Sequence, residues 1–235
     1  MKMITRNAAV AAAALSLAGA SVSQAVPTLR ILDGLNAQLT IADNTLLDSS
    51  AVVGQVNFNG SYNGWTILVS SGVTKPVIGS ATSPALDLTF QITRGAGSQG
   101  TLTVCFSDTD FNMSTPGNFG LSAGGTLGNL GAPSLVVKSF YDLGNIALAQ
   151  TTQLTTHNYN SQGGYSGNDA GGPVGPDGSV SFTIKIDLSE PIGGVASGNI
   201  DLHLNVPEGG SMVTFLGTGL LALGIFAARR KSVRA

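Results

Sequence analysis

Along most of the chain, apolar and polar residues alternate with a period of two. Leu86, Leu88, Phe90 and Ile92 are interleaved with Asp87, Thr89, Gln91 and Thr93, and Leu102, Val104 and Phe106 with Thr101, Thr103 and Cys105. The alternation returns through Val180, Phe182, Ile184, Ile186 and Leu188, and again through Ile200, Leu202, Leu204 and Val206. Successive side chains of a strand point to opposite faces, so each segment predicts a strand with one buried and one wet face. Weaker patterns predict strands near 37–43, 52–58, 65–70, 134–141 and 146–154. Asn59-Gly60 and Asn63-Gly64 between two of these predict a hairpin with a six-residue connection, 59–64. No part of 26–206 sustains a 3.6-residue period. About nine short strands with Gly, Asn and Pro turns predict an all-β fold, a single antiparallel β-sandwich or jelly-roll-like domain over 26–206. The Gly-rich stretches 117–131 and 163–178 are expected to be long surface loops. No exact internal repeat is present, which argues against a solenoid.

Both ends break this alternation. Lys2 and Arg6 precede an apolar run from Ala8 to Ala20, and Ser23 and Ala25 put small residues at the −3 and −1 positions of a cleavage site. This is the pattern of a secretory signal peptide over 1–25, cut between Ala25 and Val26; the apolar run is too short to span a bilayer. At the other end Met212 to Ala228 hold no charged residue, and Arg229, Arg230 and Lys231 follow directly. Seventeen helical residues reach about 25 Å, just short of a hydrocarbon core of about 30 Å, and flanking cations can snorkel to close the gap. The expectation is a single transmembrane helix over 212–228 with its basic end in the cytoplasm, which agrees with export of the rest. Gly217, Gly219 and Gly224 lack the G-x-x-x-G spacing of a helix-pairing face.

The tail 207–235, with Val206, Pro207, Glu208, Gly209 and Gly210 ahead of the apolar segment and an Arg-rich end, resembles the PEP-CTERM sorting signal of Gram-negative bacteria. The same tail also carries the label of an ice-binding-protein C-terminal motif. Gly209 stands where the second proline of Pro-Glu-Pro would be, and the motif is closer to the Val-Pro-Asp-Ser-Gly variant. The resemblance implies export across the inner membrane, anchoring by the C-terminal helix, then recognition by an exosortase and release to the cell surface or an exopolysaccharide matrix. The expected partners are signal peptidase, an exosortase and exopolysaccharide. The resemblance implies a route and no activity.

Composition narrows the function classes. Of 235 residues only 10% are charged, 32 are Gly and one is Cys, which excludes a disulfide framework and a Cys-rich zinc site. Between Val26 and Val206 five basic residues stand against twelve acidic ones without a basic cluster, so no nucleic-acid partner is expected.

Candidate chemistry within the domain is sparse. Asp108, Asp110 and Asn112 have the alternate spacing of a calcium loop, but Met113 and Phe119 occupy the positions an EF-hand gives to Gly and Glu. The expected reading is a polar turn after a strand ending at Phe106, with a calcium site as the alternative. His157, in a Thr/Asn-rich connection, and His203, on a wet strand face, lack metal-ligand spacing and are expected at the surface. No G-x-S-x-G nucleophile motif occurs, and nothing in the spacing of Glu190 and the eleven aspartates of the domain singles out a glycosidase pair. Cys105 is expected beneath a loop or a second sheet, without reactivity. Trp65 is in phase with Ile67 and Val69 and is expected in the core, which leaves Tyr159 to Tyr165 as the place for a wet aromatic contact. A single Thr101-x-Thr103 pair does not make the regular array that ice binding needs. The sequence thus predicts an exported, non-enzymatic β-sandwich protein without a cofactor. The alternative is a glycan- or calcium-binding module on the same route, with 157–177 as the ligand-facing stretch, and a secreted polysaccharide hydrolase ranks below it.

Overall fold

Twelve strands alternate with short turns in the computed structural model, which describes residues 25–34, 37–113, 116–128, 131–175 and 177–205. The signal segment up to Gln24 and the whole tail from Val206, including Pro207 to Gly210, Met212, Ala228 and Arg229 to Lys231, lie outside the described residues. The strands are β1 (Thr28–Asp33), β2 (Ala37–Ala42), β3 (Gln55–Tyr62), β4 (Trp65–Val73), β5 (Ala85–Arg94) and β6 (Thr101–Met113). They continue with β7 (Gly117–Leu127), β8 (Ser134–Asp142), β9 (Thr152–Tyr159), β10 (Gly163–Val174), β11 (Gly178–Ser189) and β12 (Val195–Asn205). Among the described residues no helix is long and apolar enough to cross a membrane.

Sheet one runs β2-β1-β6-β11-β8-β9 and sheet two β10-β7-β12-β5-β4-β3, antiparallel throughout. The last eight strands pair β5 with β12, β6 with β11, β7 with β10 and β8 with β9, alternating between sheets. This nested pairing is jelly-roll connectivity; β1–β2 extend one sheet and β3–β4 the other. The two inner faces meet in one apolar core. Leu86, Leu88, Phe90 and Ile92 of β5 face Val180, Phe182, Ile184, Ile186 and Leu188 of β11 as the alternation predicts. Phe182 joins the layers, with its ring 5.4 Å from that of Phe111 in sheet one and 4.4 Å from that of Phe119 in sheet two.

Several expectations are corrected. The hairpin after Tyr62 has a two-residue connection, not six: Asn63 (φ 48°) and Gly64 (φ 83°) form the turn, a left-handed pair that matches strand twist, while Asn59 and Gly60 stay in β3. The stretch expected as a strand over 146–154 is strand only from Thr152, and β1 is a strand the pattern did not announce. The two Gly-rich stretches are strands, β7 and β10, paired with each other at the edge of sheet two. Several of their glycines, among them Gly117, Gly125, Gly167 and Gly171, are there for close packing. Tyr165 of β10 lies across Gly125 of β7 and Gly198 of β12, and its hydroxyl donates to the Ser197 carbonyl (3.2 Å). A Cβ at Gly198 would overlap that hydroxyl. Strand β6 does not end at Phe106; it runs to Met113 through a bulge at Thr109 and Asp110, where Asp110 takes φ 58°.

Candidate functional site

The bulge turns Asp108 inward and removes the basis for a calcium loop. Asp108 is fully buried, and its Oδ2 accepts from Lys75 Nζ (2.7 Å) and Thr74 Oγ1 (3.0 Å). The same ammonium donates to the Thr109 carbonyl and sits 3.8 Å above the Phe111 ring. Burial raises the Asp108 carboxyl above its usual range, against the opposing pull of Lys75 and the hydrogen bonds. Asp110 instead accepts from Asn145 Nδ2 (2.6 Å), while Asn112 is exposed. The three residues that the alternative calcium reading would bring together point apart, and no cluster of three metal-ligating side chains occurs among the described residues.

The other singled-out residues separate cleanly. Trp65 is buried, its Nε1 donating to Asp33 Oδ1 (3.0 Å). Cys105 is buried on the outer face of sheet one beneath the 143–151 loop, where Gln150 Nε2 lies 3.9 Å from its sulfur. Burial pushes the thiol up to about 11 despite Arg30 and Lys185 nearby. His157 is not in a connection or on the surface. It sits on β9, half-buried, stacked on Tyr159 (5.9 Å between ring centroids), which packs on Tyr165 at 4.6 Å. The expected wet aromatic contact is therefore a seam between the edges of the two sheets. Glu190 is buried, and burial raises its pKa. His203 is exposed on β12, as expected.

The strongest polar arrangement is one the sequence pattern did not show, on the outer face of sheet two. Strand register sets Ser122 of β7, Asp201 of β12 and Asp87 of β5 side by side, with Asn168 of β10 beyond Ser122. Asp201 shares hydrogen bonds with Asp87 and Ser122. Asn199 Nδ2 donates to Asp87 Oδ2 (2.6 Å) and Thr89 Oγ1 (3.0 Å). Burial, then the hydrogen bond and charge of Asp87, push Asp201 up to about 6. One register step away an open depression of about 390 Å³ is lined by Gly120, Ser122, Asn168, Asp169, His203 and Asn205 among others. A Cβ at Gly120 would meet Asn205 Nδ2 and His203 at 2.5–3.1 Å, so the bare glycine lets those side chains lie flat along the wall. The ladder offers carboxylate acceptors, amide donors and hydroxyls that do either, a set suited to neighbouring hydroxyl groups of a ligand. The only signal for it in the sequence is the polar phase of β5 and β12; residues 87 and 201 meet only through pairing.

No protein-family model and no curated protein matches the sequence. Solved structures with similar β architecture include the enzymatically active domain of bacteriophage CBA120 tailspike protein 4 (16% identity, TM-score 0.30, 63% of this chain and 21% of that one). Another is the Clostridium thermocellum xylanase 10B CBM22-1–GH10 modules with xylohexaose (9%, 0.35, 65% and 28%). A third is TmCBM61 with β-1,4-galactotriose (10%, 0.29, 63% and 92%). The chain spans only about a quarter of the first two proteins, and each is a likeness of fold at low identity.

Proposed function

We propose that this chain is an exported β-sandwich protein without catalytic activity, sorted by an exosortase through its C-terminal tail to the cell surface or extracellular matrix. The observation that carries the reading is the arrangement of the chain. One closed β domain from Thr28 to Asn205 is bracketed by a signal-peptide pattern and a motif, apolar segment and basic cluster in sorting order. Asp87 and Asp201, the best-placed carboxyl pair, share a hydrogen bond. They are direct cross-strand neighbours on one face of sheet two, not groups set on either side of a cleft as a pair flanking a scissile glycosidic bond would be. Intact mass of the protein from its host, with and without the exosortase gene, tests the route. A species from about Val26 to about Pro207 that depends on that gene is expected; retention of Met212 to Ala235 in both strains refutes processing.

A second reading, glycan binding, is favoured by the polar ladder beside the glycine-floored depression. Under it, hydroxyls of an exopolysaccharide exchange hydrogen bonds with Asp87, Asn199, Ser122, Asn168 and His203. Calorimetric titration with host polysaccharide tests this. Asn199→Ala and His203→Ala are expected to weaken binding at least several-fold, and heat signals identical to those of the unaltered protein would remove the reading.

A further inference from the structure

The two ends of the sandwich differ in a way the topology makes plain. At one end β1 begins and β2 ends (Thr28 opposite Ala42), β3 begins and β4 ends (Gln55 opposite Val73), β5 begins beside the end of β12 (Ala85 opposite His203), and β8 ends (Asp142). This end therefore carries the 43–54, 74–84 and 143–151 loops, and the chain both enters and leaves there, at Val26 and Asn205. Of the ten large apolar side chains exposed among the described residues, eight belong to this end. Leu46, Leu47, Val52 and Val53 project from the first loop, with Leu46 fully in solvent. Val77 projects from the second loop, Leu143 and Ile146 from the third, and Val26 from the incoming chain. The opposite end exposes Ile192 and Val195.

The loops hold their carboxylates inward while showing aliphatics outward. Asp48 accepts from the backbone N–H groups of Asn44 (3.0 Å), Ser50 (2.9 Å) and Asn57 (2.8 Å), and Asp43 from that of Gly54 (2.8 Å). Asp142 accepts from Thr151 Oγ1 (2.6 Å) and the Ile146 N–H (3.1 Å). Lys75 is committed to Asp108, and the loops are tied together, Thr74 N–H to the Gly54 carbonyl (2.9 Å) and Asn112 N–H to that of Ala81 (2.7 Å). Asp177 is an exposed carboxylate at this end. Ordered loops that turn charge in and aliphatics out form a surface that needs an apolar partner.

We propose that this end of the sandwich docks on a lipid bilayer while the chain is anchored, the loop aliphatics entering the headgroup–acyl boundary. The proposal rests on the reading of 212–228 as a membrane span. Only six residues, 206–211, separate Asn205 from Met212, and fully extended they reach about 20 Å. The span would then hold the aliphatic end, rather than the opposite one, against the membrane, and tethering plus shallow insertion is the two-signal combination that gives stable membrane contact. Among the described residues this end shows no exposed cation, and its exposed carboxylate, Asp177, accepts from the Tyr141 hydroxyl (3.2 Å), so docking does not need anionic lipid and withstands salt.

The test uses the full chain in phosphatidylcholine vesicles, with an environment-sensitive fluorophore on Leu46→Cys or, separately, on Ile192→Cys; Cys105 is buried and stays unlabelled. The expected result is a blue-shifted Leu46-site signal quenched by spin-labelled lipid several-fold more than the Ile192-site signal, unchanged in 1 M salt. Adding Leu47→Asp and Val53→Asp should abolish the quenching while the protein still floats with the vesicles. Flotation with equal quenching at both sites would overturn docking and leave the span intact. A Leu46-site signal shielded from water but not quenched by lipid would mean that a second copy covers this end, and would also overturn it. Failure to float would overturn the span and docking together.

Discussion

Asp201 is held in a setting that costs stability at neutral pH. Its carboxyl is pushed up to about 6, first by burial and then by Asp87. The folded chain therefore takes up this proton more readily than the unfolded chain, whose Asp titrates near 3.9. Stability from this group is greatest below about pH 4, declines as pH rises to about 6, and is flat above that, the reverse of an ion-paired aspartate. Asp201→Asn removes the repulsion and keeps a hydrogen-bonding group toward Asp87. Discounted for its partial exposure, the gain is about 1 kcal/mol at pH 7.5 and close to zero at pH 4. Thermal melts of the two proteins at both pH values check this; equal melting temperatures at pH 7.5 would mean that Asp201 titrates normally.

At the scale of elements, the fold hinges on how β6 continues past Phe106. The bulge lets one strand place Phe106, Asp108, Phe111 and Met113 all inward, and the Lys75 ammonium then closes the end of the core over Asp108 and Phe111. Lys75→Met leaves a buried carboxylate without its cation and is expected to cost about 3–5 kcal/mol at pH 8, and less as the pH is lowered and Asp108, already raised by burial, takes a proton. Lys75→Met with Asp108→Asn carries no buried charge and should recover most of that loss in urea unfolding. Failure to recover would place the cost in the lost lysine stem over Phe111. Such a bulge is illegible in sequence, because the period-2 pattern breaks there as it would at a turn; Asp108-x-Asp110 therefore read as an exit from the strand. Strands β5, β6, β11 and β12 were legible because apolar side chains line the core face and mostly polar ones the other. β7 and β10 were not, since glycines such as Gly125, which makes room for Tyr165, and Gly167 and Gly171, which make room for Tyr159 and Leu154, answer to neighbouring strands, and no local pattern reports a requirement set by another segment. The Asp87–Asp201 ladder escaped notice for the same reason, while the burial of Trp65 followed from phase alone; phase set Cys105 on the polar face, and its cover by the 143–151 loop depends on a distant segment.

The whole molecule is bound by one core shared between two sheets that the jelly-roll connectivity interleaves, so neither sheet can be completed without the other. β5 in sheet two pairs with β4 and with β12, and its pairing with β12 brackets the whole of β6 to β11, including the β6–β11 pair of sheet one. Unfolding should accordingly be a single transition. Trp65 fluorescence reports sheet two, and far-UV circular dichroism reports both sheets; the two denaturation curves should coincide in midpoint and slope. The nested long-range pairings also place refolding in the slow range for small domains, from milliseconds to seconds. A Trp65 transition at lower denaturant than the loss of strand signal would mean that sheet two opens alone. This cooperativity bears on the end that shows the loop aliphatics: the 43–54 and 74–84 loops are tied through Thr74, Lys75 and Asp108 to the same core. Loops anchored in this way present their aliphatics without losing conformational entropy on contact, so the end of the domain behaves as a preformed surface and not as segments that must order on arrival.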